Sequence, residues 1–256
     1  MWKRGIIGTW VMGVVLGVAF AGFSYFGTGG TSEAAATHAA ATQAAATQVP
    51  VTQVAEAPVA AVPSTYHLTG FRSAEFGMTE DQVRKAIEKD FSLSTKDINK
   101  GENTTEKTSV LDVTVKNLLP AGGDAHVSYI FGYQTHKLIH INVGWGAMAG
   151  PAGAVATLET LVEAANQLRT YLLGAGYRQD SIVANARMPD GTIIVFRGFD
   201  ADNKLAAVVL TGAPPEKPAD AKATDKKPEL PKPGLQLSYV SDVKNPDIFH
   251  IKAGQF

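Results

Sequence analysis

The feature that most constrains this chain is an uncharged apolar run at its start. Lys3 and Arg4 are followed by a stretch without any charged residue that extends from Gly5 to Phe26. About 20 apolar residues in a helix, at roughly 1.5 Å each, are enough to cross the hydrocarbon core of a bilayer. The sequence therefore predicts one membrane-spanning anchor helix within residues 1–27.

The distribution of positive charge predicts the orientation of this helix. After Lys3 and Arg4 the next lysine or arginine is Arg72, and basic residues that flank a spanning helix stay on its cytoplasmic side. We expect a single-pass protein of the bacterial inner membrane or of an internal organelle membrane, with a cytoplasmic N-terminus. The rest of the chain would lie in the periplasm or the organelle lumen, with the lipid bilayer as its first partner.

A cleaved signal peptide is the second interpretation of this segment. Ala19-Phe20-Ala21 is an A-x-A site behind a positive start and an apolar stretch. Cleavage there would release a soluble protein that begins at Gly22. The apolar character continues as far as Phe26, which a spanning helix requires and a signal peptide does not. We therefore favour the uncut anchor.

Small residues recur at every fourth position within the apolar run, at Thr9, Gly13, Gly17 and Ala21. On a helix this spacing places them in one ridge, against which another helix can pack closely in lipid. The ridge predicts self-association of the anchor or packing against another membrane protein. The alternative is that small residues are simply frequent in spanning helices.

The charge balance excludes one class of partner. The chain has 23 basic and 24 acidic residues and no cysteine. A nearly neutral chain offers no basic surface for nucleic acid, so we expect none to bind. Without cysteine there is neither a disulfide framework nor a thiolate metal site, and packing must stabilise the fold.

Residues 28–65 have the composition of a disordered linker. Ala, Thr, Gln, Val and Pro dominate, and a pentapeptide AAATH or AAATQ repeats three times between Ala34 and Gln48. A period of five matches neither a helix face nor a strand face, and these residues cannot form a core. We predict a tether between the anchor and a folded domain at residues 66–212.

Two helices are predicted within this domain. Thr79 and Gln82 form a T-x-x-Q capping box, and Val83, Ala86 and Ile87 provide the buried face of the helix that follows. A longer helix is predicted from a stripe of apolar residues at helical spacing. The stripe consists of Leu158, Leu161, Val162, Ala165, Leu168 and Leu172.

Stretches with alternating apolar residues predict strands after each helix. Gly101-Glu102-Asn103 and Gly122-Gly123-Asp124 are expected to be turns. The order of helix, strands, helix, strands predicts an α+β fold, with an antiparallel sheet and both helices packed on one of its faces. The predicted strands are residues 108–115, 126–131, 138–143, 182–188, 192–196 and 205–210.

Two further segments complete the chain. Residues 213–234 are rich in proline and lysine, which is typical of an extended linker. Residues 235–256 contain a strand-like stretch from Leu235 to Val240 and then Ile248, Phe249 and Ile251, which a disordered tail would not need. We predict a docking segment that either packs back on the domain or adds a strand to a partner.

Three histidines form the candidate metal site. His136 and His140 are four residues apart, which places both on one face of a strand, and His126 lies on the preceding predicted strand. Three imidazoles suit zinc, copper or iron. Pairing of Phe131 with Thr135 would place His126 opposite His140, whereas pairing of Phe131 with His136 would turn the two to opposite faces. Surface histidines beside a turn are the alternative.

No catalytic motif is found in the sequence. Asp200-Ala-Asp202-Asn-Lys204 resembles the start of a calcium loop, but Lys204 places a cation where the third ligand belongs, so a hairpin turn is the better interpretation. Serine-hydrolase, metalloprotease and phosphate-loop motifs do not occur. We expect no catalytic residue, no cofactor and no enzymatic activity.

The start of the first predicted helix resembles a known family. Gly77-Met78-Thr79 followed by Gln82-Val83 is similar to the G-M-T-x-x-Q-V motif of the BamE/SmpA family of small periplasmic assembly proteins. The resemblance covers about fifteen residues, and the chain lacks the lipidated cysteine of that family. It implies a helix that precedes an antiparallel sheet, and a periplasmic location.

A second resemblance concerns the block from Phe71 to Met78. This block is similar to membrane-anchored proteins of magnetotactic alphaproteobacteria, some of them encoded in magnetosome gene clusters. The anchor, the tether and the apolar C-terminal segment lead to the hypothesis of a non-catalytic scaffold or assembly factor for an envelope or internal-membrane organelle complex, such as that of a magnetosome. The alternatives are a metal-handling periplasmic protein that uses the three histidines, and a secreted soluble protein.

Overall fold

A computed structural model describes residues 64–152, 156–214, 231–251 and 254. All of them belong to one unit of the chain, Ala61–Phe256. The predicted anchor, its signal-peptide alternative and the helix-packing residues Gly13, Gly17 and Ala21 lie outside the described residues, as does nearly all of the predicted tether. Within the part of the chain that the structure describes, none of the helices has both the length and the apolar character needed to cross a membrane.

Two α-helices and ten β-strands are described. Short 3-10 helices at Thr95–Asp97, Ala147–Ala152 and Gln179–Ser181 connect some of them. In chain order the elements are β1 (Gly70–Phe71), β2 (Ala74–Glu75), α1 (Glu80–Phe91), β3 (Asn99–Asn103), β4 (Thr108–Leu119), β5 (Gly123–Phe131), β6 (Leu138–Gly146), α2 (Leu158–Gly174), β7 (Val183–Arg187), β8 (Ile193–Phe199), β9 (Leu205–Thr211) and β10 (Gly234–Val240).

Eight of these strands form one antiparallel sheet, in the order β3-β4-β5-β6-β10-β9-β8-β7. The predicted α+β class, with an antiparallel sheet and two helices, is confirmed. The strand order is symmetric about the centre. α1 is followed by β3 to β6, α2 is followed by β7 to β10, and β6 pairs with β10 where the two halves meet.

One cluster of buried apolar side chains lies between the sheet and the helices. It includes Val83 and Ile87 of α1 and Leu161 and Leu172 of α2. The strand residues of this cluster share one sheet face, because directly paired residues point the same way. We call the sheet face that carries these residues the helix face, and the opposite sheet face the outer face. One row of paired residues across the helix face is Val113, Val127, Val143, Leu237, Val208 and Phe196.

The first helix begins as its sequence predicts. The Gln82 N–H donates to Thr79 Oγ1 at 3.4 Å, and the Thr79 N–H donates to Gln82 Oε1 at 2.8 Å, so the capping box is complete. Glu80 and Asp81 occupy the first turn, where the helix dipole favours negative charge. Val83, Ala86 and Ile87 are buried, as predicted.

The buried stripe of α2 differs from the prediction at Val162 and Ala164. Val162 is 40% exposed, whereas Ala164, which the predicted stripe omitted, is fully buried. Leu161, Ala165, Leu168 and Leu172 are buried as predicted. A valine satisfies the hydrophobic pattern equally well on either border of a helical stripe, so only packing against the sheet decides which border is covered.

Two predicted turns are wrong in whole or in part. Gly101-Glu102-Asn103 belongs to β3, the edge strand that pairs with β4. Its polar, glycine-containing sequence has no strand pattern, and the neighbouring strand imposes the extended conformation. Gly123 and Asp124 already belong to β5, so the turn between β4 and β5 is shorter than predicted.

The docking segment begins with a central strand of the sheet. β10 pairs along its whole length with β6 on one side and with β9 on the other. Leu235, Leu237 and Tyr239 are buried in the main core. The folded domain therefore extends beyond the predicted boundary at Gly212, and the strand-like stretch packs back on the domain.

The residues after β10 lie along one end of the sheet. Asp247 accepts hydrogen bonds from the backbone N–H groups of Gln134 and Thr135 at 3.0 and 2.9 Å and from Thr135 Oγ1 at 2.5 Å. The Phe249 N–H donates to the carbonyl of Glu106 at 2.9 Å. Burial of Asp247 raises its pKa, but these hydrogen bonds outweigh burial and hold the pKa below its ordinary value.

Candidate functional site: a polar cluster on the outer face of the sheet

Polar side chains form a cluster in the middle of the outer face. The register aligns Asp112 of β4, Ser128 of β5, Asn142 of β6 and Ser238 of β10 in one row across four neighbouring strands. The next row adds His126 of β5 and Gln236 of β10, which lie on either side of Gly144. We call these six residues the polar cluster.

One half of the polar cluster is organised by a carboxylate. Ser128 Oγ donates to Asp112 Oδ1 at 2.5 Å, and His126 Nε2 lies 3.1 Å from the same oxygen. The side chains of Asp112 and His126 are 18% and 30% exposed. Two strands thus present a carboxylate, a hydroxyl and an imidazole at a surface that solvent reaches.

The other half is organised by an amide. Ser238 Oγ donates to Asn142 Oδ1 at 2.6 Å, and Gln236 Nε2 donates to the same oxygen at 3.0 Å. Gln236 Nε2 also lies 3.0 Å from Ser238 Oγ. These bonds join β6 to β10, so the polar cluster spans the junction between the two halves of the domain.

The order of the groups decides what chemistry this arrangement supports. Nucleophilic catalysis by serine needs a base that takes the hydroxyl proton, with the carboxylate behind that base. Here the carboxylate of Asp112 lies between the hydroxyl and the imidazole, and Ser128 directs its proton to Asp112. The geometry is that of a hydrogen-bonded surface that can contact polar groups of a partner.

The structure does not bring the three candidate metal ligands together. His126 and His140 lie on the same outer face, but His140 pairs with Ile130, four residues along β5 from His126. At about 3.3 Å per residue this separation is roughly 13 Å. His136 lies in the loop between β5 and β6, with a φ of 53°. Among the described residues no group of three or more His, Cys, Asp or Glu is placed to hold a metal ion.

Neither of the two registers considered from the sequence is the observed one. Phe131 pairs with Leu138 across a longer loop, and Ile130 pairs with His140, so Ile139 is an extra residue in β6. Such a bulge changes the side-chain alternation along a strand. Leu138 therefore points to the helix face, where the simple alternation would have placed Ile139.

His140 is the most strongly perturbed imidazole of the described residues. It lies between Ile130 and Val240 on the outer face, and its Nε2 atom is buried without a hydrogen-bond partner in the described part of the chain. Burial lowers the pKa of His140 to about 4, although hydrogen bonding with the Asn142 side chain raises the pKa by a smaller amount. The ring is therefore neutral at physiological pH.

This shift predicts a pH dependence of stability. The unfolded chain takes up a proton on His140 near pH 6.5, whereas the folded chain takes it up near pH 4. The free energy of unfolding should therefore fall by about 1.5 kcal/mol between pH 6.5 and pH 5 because of this residue. Urea titrations at several pH values measure it. The decline should be smaller in His140→Gln and persist in His126→Gln, and an equal decline in wild type and His140→Gln would contradict the assignment.

An open depression lies at the end of the sheet where α1 begins. Its volume is about 520 Å³, and the residues that line it carry both signs of charge. Lys100 Nζ is held by Glu80 Oε2 at 2.7 Å, and Thr79 already caps the N-terminus of α1. The depression therefore has no concentration of one charge. Its lining residues are Thr79, Glu80, Asp81, Lys100, Thr135, His136 and Lys137.

Most members of the polar cluster are not conspicuous in the sequence. Asp112, Ser128 and Asn142 each occupy a polar position of an alternating strand, which by itself indicates only a solvent-facing side chain. Gln236 and Ser238 come from a strand that is distant in sequence. In the sequence these residues are marked only as polar interruptions of apolar runs. The register of the strands is what shows that they lie side by side.

Comparison with known proteins gives no relative for this arrangement. No protein-family model, no curated protein and no solved structure matches the chain.

Proposed function

We propose that this chain is a non-catalytic, single-pass membrane protein that serves as a scaffold or assembly factor in a bacterial envelope or internal-membrane complex, such as that of a magnetosome. Its domain would stand in the periplasm or organelle lumen, on the tether at residues 28–65. The observation that carries the proposal is the length of the uncharged apolar run after Lys3 and Arg4.

The attachment of the domain to its tether supports this arrangement. The first described residues are fixed to the turn between β8 and β9: the Leu68 N–H donates to Asp200 Oδ2 at 2.6 Å, and the Ala201 N–H donates to the Tyr66 carbonyl at 3.0 Å. Ser64 Oγ donates to the Gly176 carbonyl at 2.5 Å. The tether would therefore leave the domain at a defined point.

The polar cluster supports a binding role. Its side chains are hydrogen-bonded in a fixed arrangement: the Ser128 hydroxyl donates to the Asp112 carboxylate and the Ser238 hydroxyl to the Asn142 amide oxygen, so neither donates to an imidazole. Fixed polar groups that remain partly exposed favour recognition of a partner's polar surface. The similarity of residues 77–83 to the BamE/SmpA motif agrees with an assembly role in the periplasm.

Membrane fractionation tests the proposal. The full-length chain, expressed in a bacterium, should remain in the membrane pellet after salt and carbonate washes, enter solution only with detergent, and retain its first 27 residues by intact mass. Crosslinking before extraction should capture another envelope protein.

A matched variant separates the anchor from a signal peptide. Ala19→Leu/Ala21→Phe removes the A-x-A site and should leave the mass of the mature protein changed only by the two substitutions. A wild-type protein that begins at Gly22 and is soluble, together with a longer, membrane-bound variant, would refute the anchor.

A further inference from the structure

The two edge strands of the sheet are protected to different degrees. At β7 the pairing with β8 is interrupted at Asn185, whose φ is 55°. Arg169 Nη1 donates to the Asn185 side chain at 2.7 Å, and Arg187 donates to the carbonyl of Pro214. Irregular backbone of this kind hinders the regular pairing of an edge with another strand.

The edge at β3 has no such irregularity. Its five residues pair one by one with β4 without a register shift, and none of them has a positive φ. The strand contains no proline. No described strand pairs with β3 on the side away from β4. That free edge presents unpaired backbone N–H and C=O groups, to which another strand can hydrogen-bond.

The sequence of β3 is complementary to itself. Read as Asn-Lys-Gly-Glu-Asn, it has a lysine and a glutamate at equal distances from the central Gly101. In an antiparallel pair of two copies centred on Gly101, Lys100 lies directly opposite Glu102 of the partner subunit. The two-fold axis generates this ion pair twice, and opposite charges directly across two strands stabilise the pairing.

We propose that the β3 edge binds a second copy of this chain, in antiparallel register centred on Gly101. The two eight-stranded sheets then form one continuous sheet across a two-fold axis. This inference does not depend on the membrane anchor, since the surface belongs to the folded domain alone.

The charged side chains of β3 are available for this contact. Lys100 and Glu102 pair with Leu111 and Ser109, so both point to the helix face, and the Lys100 side chain is 56% exposed. Lys100 Nζ lies 2.7 Å from Glu80 Oε2, but Glu80 is also held by Arg84 Nη2 at 2.9 Å. Transfer of Lys100 to Glu102 of the partner subunit would therefore leave Glu80 paired.

A cysteine placed on the two-fold axis tests the register. The chain has no cysteine, so Gly101→Cys introduces a single thiol. Opposed residues in an antiparallel pair have Cα atoms about 4.5–5.5 Å apart, which a disulfide can bridge. The full-length Gly101→Cys protein should form a covalent dimer on mild oxidation. Ala184→Cys, an exposed position on the β7 edge, is the matched control and should form no covalent dimer under the same oxidation.

Charge reversal tests the ion pairs without any cysteine. Glu102→Lys places two lysines opposite each other at both symmetric positions. We expect the dissociation constant of the dimer, measured by sedimentation, to rise about tenfold. Lys100→Glu/Glu102→Lys restores opposite charges and should restore the dimer. Self-association through the anchor would be the same in all these proteins, so a difference in their dimer fractions reports on β3.

Two results would overturn the proposal. The first is equal crosslinking at positions 101 and 184, which would indicate random collision. The second is a dimer fraction that is the same in wild type, in Glu102→Lys and in the double variant. Either result leaves the proposed membrane attachment untouched, because that is decided by fractionation and mass.

Discussion

Replacing Asp200 with alanine should lower the free energy of unfolding by about 3 kcal/mol, because it leaves one buried and two half-buried backbone donors without an acceptor. The Asp200 side chain is fully buried. It accepts hydrogen bonds from the backbone N–H groups of Leu68, Asp202 and Lys204 at 2.6, 2.9 and 2.7 Å. Urea denaturation measures the loss, and amide exchange at Leu68 should accelerate, since its only described acceptor is removed.

Asp202 provides the matched control for this experiment. It lies two residues further along the same turn, but its side chain is 46% exposed, and its partners are the side chains of His67 and Lys204. Exposed ion pairs contribute little, so Asp202→Ala should change the unfolding free energy by less than about 1 kcal/mol. If Asp200→Ala lowered the unfolding free energy no more than Asp202→Ala does, Asp200 would not be an important acceptor in this turn, contrary to the structure.

The same turn illustrates what local sequence can predict. The stretch from Asp200 to Lys204 is predicted to be a hairpin turn because Lys204 places a cation where a calcium ligand belongs, and the structure has it as the turn between β8 and β9. The capping box of α1 is a second case. Both features depend on a few consecutive residues, whose local hydrogen bonds are enough to select the backbone conformation.

Features that depend on register were beyond the sequence. One extra residue at Ile139 decides which of its neighbours reach the core, and the register across the longer β5–β6 loop places His140 opposite Ile130, four residues from His126. The polar cluster has the same origin, since Asn142 and Ser238 are adjacent only because β10 pairs with β6. No local pattern encodes a pairing between strands that are nearly a hundred residues apart, so candidate sites built from spacing alone were incomplete.

The position of β10 leads to the prediction with the largest effect. A chain that ends at Gly212, the predicted end of the domain, loses the strand that joins β6 to β9. It also loses Leu235, Leu237 and Tyr239 from the core, each less than a tenth exposed. Burial of three such side chains stabilises the fold by roughly 5 kcal/mol, which is comparable with the whole stability of a domain. We expect this chain to lack a cooperative unfolding transition by circular dichroism and to aggregate through its exposed strand edges.

A chain that ends at Val240 separates the role of the strand from that of the residues after it. It keeps β10 and loses the hydrogen bonds that Asp247 and Phe249 make with the loops at the end of the sheet. It should fold, with a cooperative transition that is about 2 kcal/mol less stable than that of the full chain. If the Gly212 chain unfolded cooperatively with the same stability as the Val240 chain, β10 would not be part of the domain, and its apolar residues would be left for a partner. The expected contrast places the boundary of the folding unit after Val240, because a strand that is paired on both sides cannot be removed without separating the two halves of the sheet.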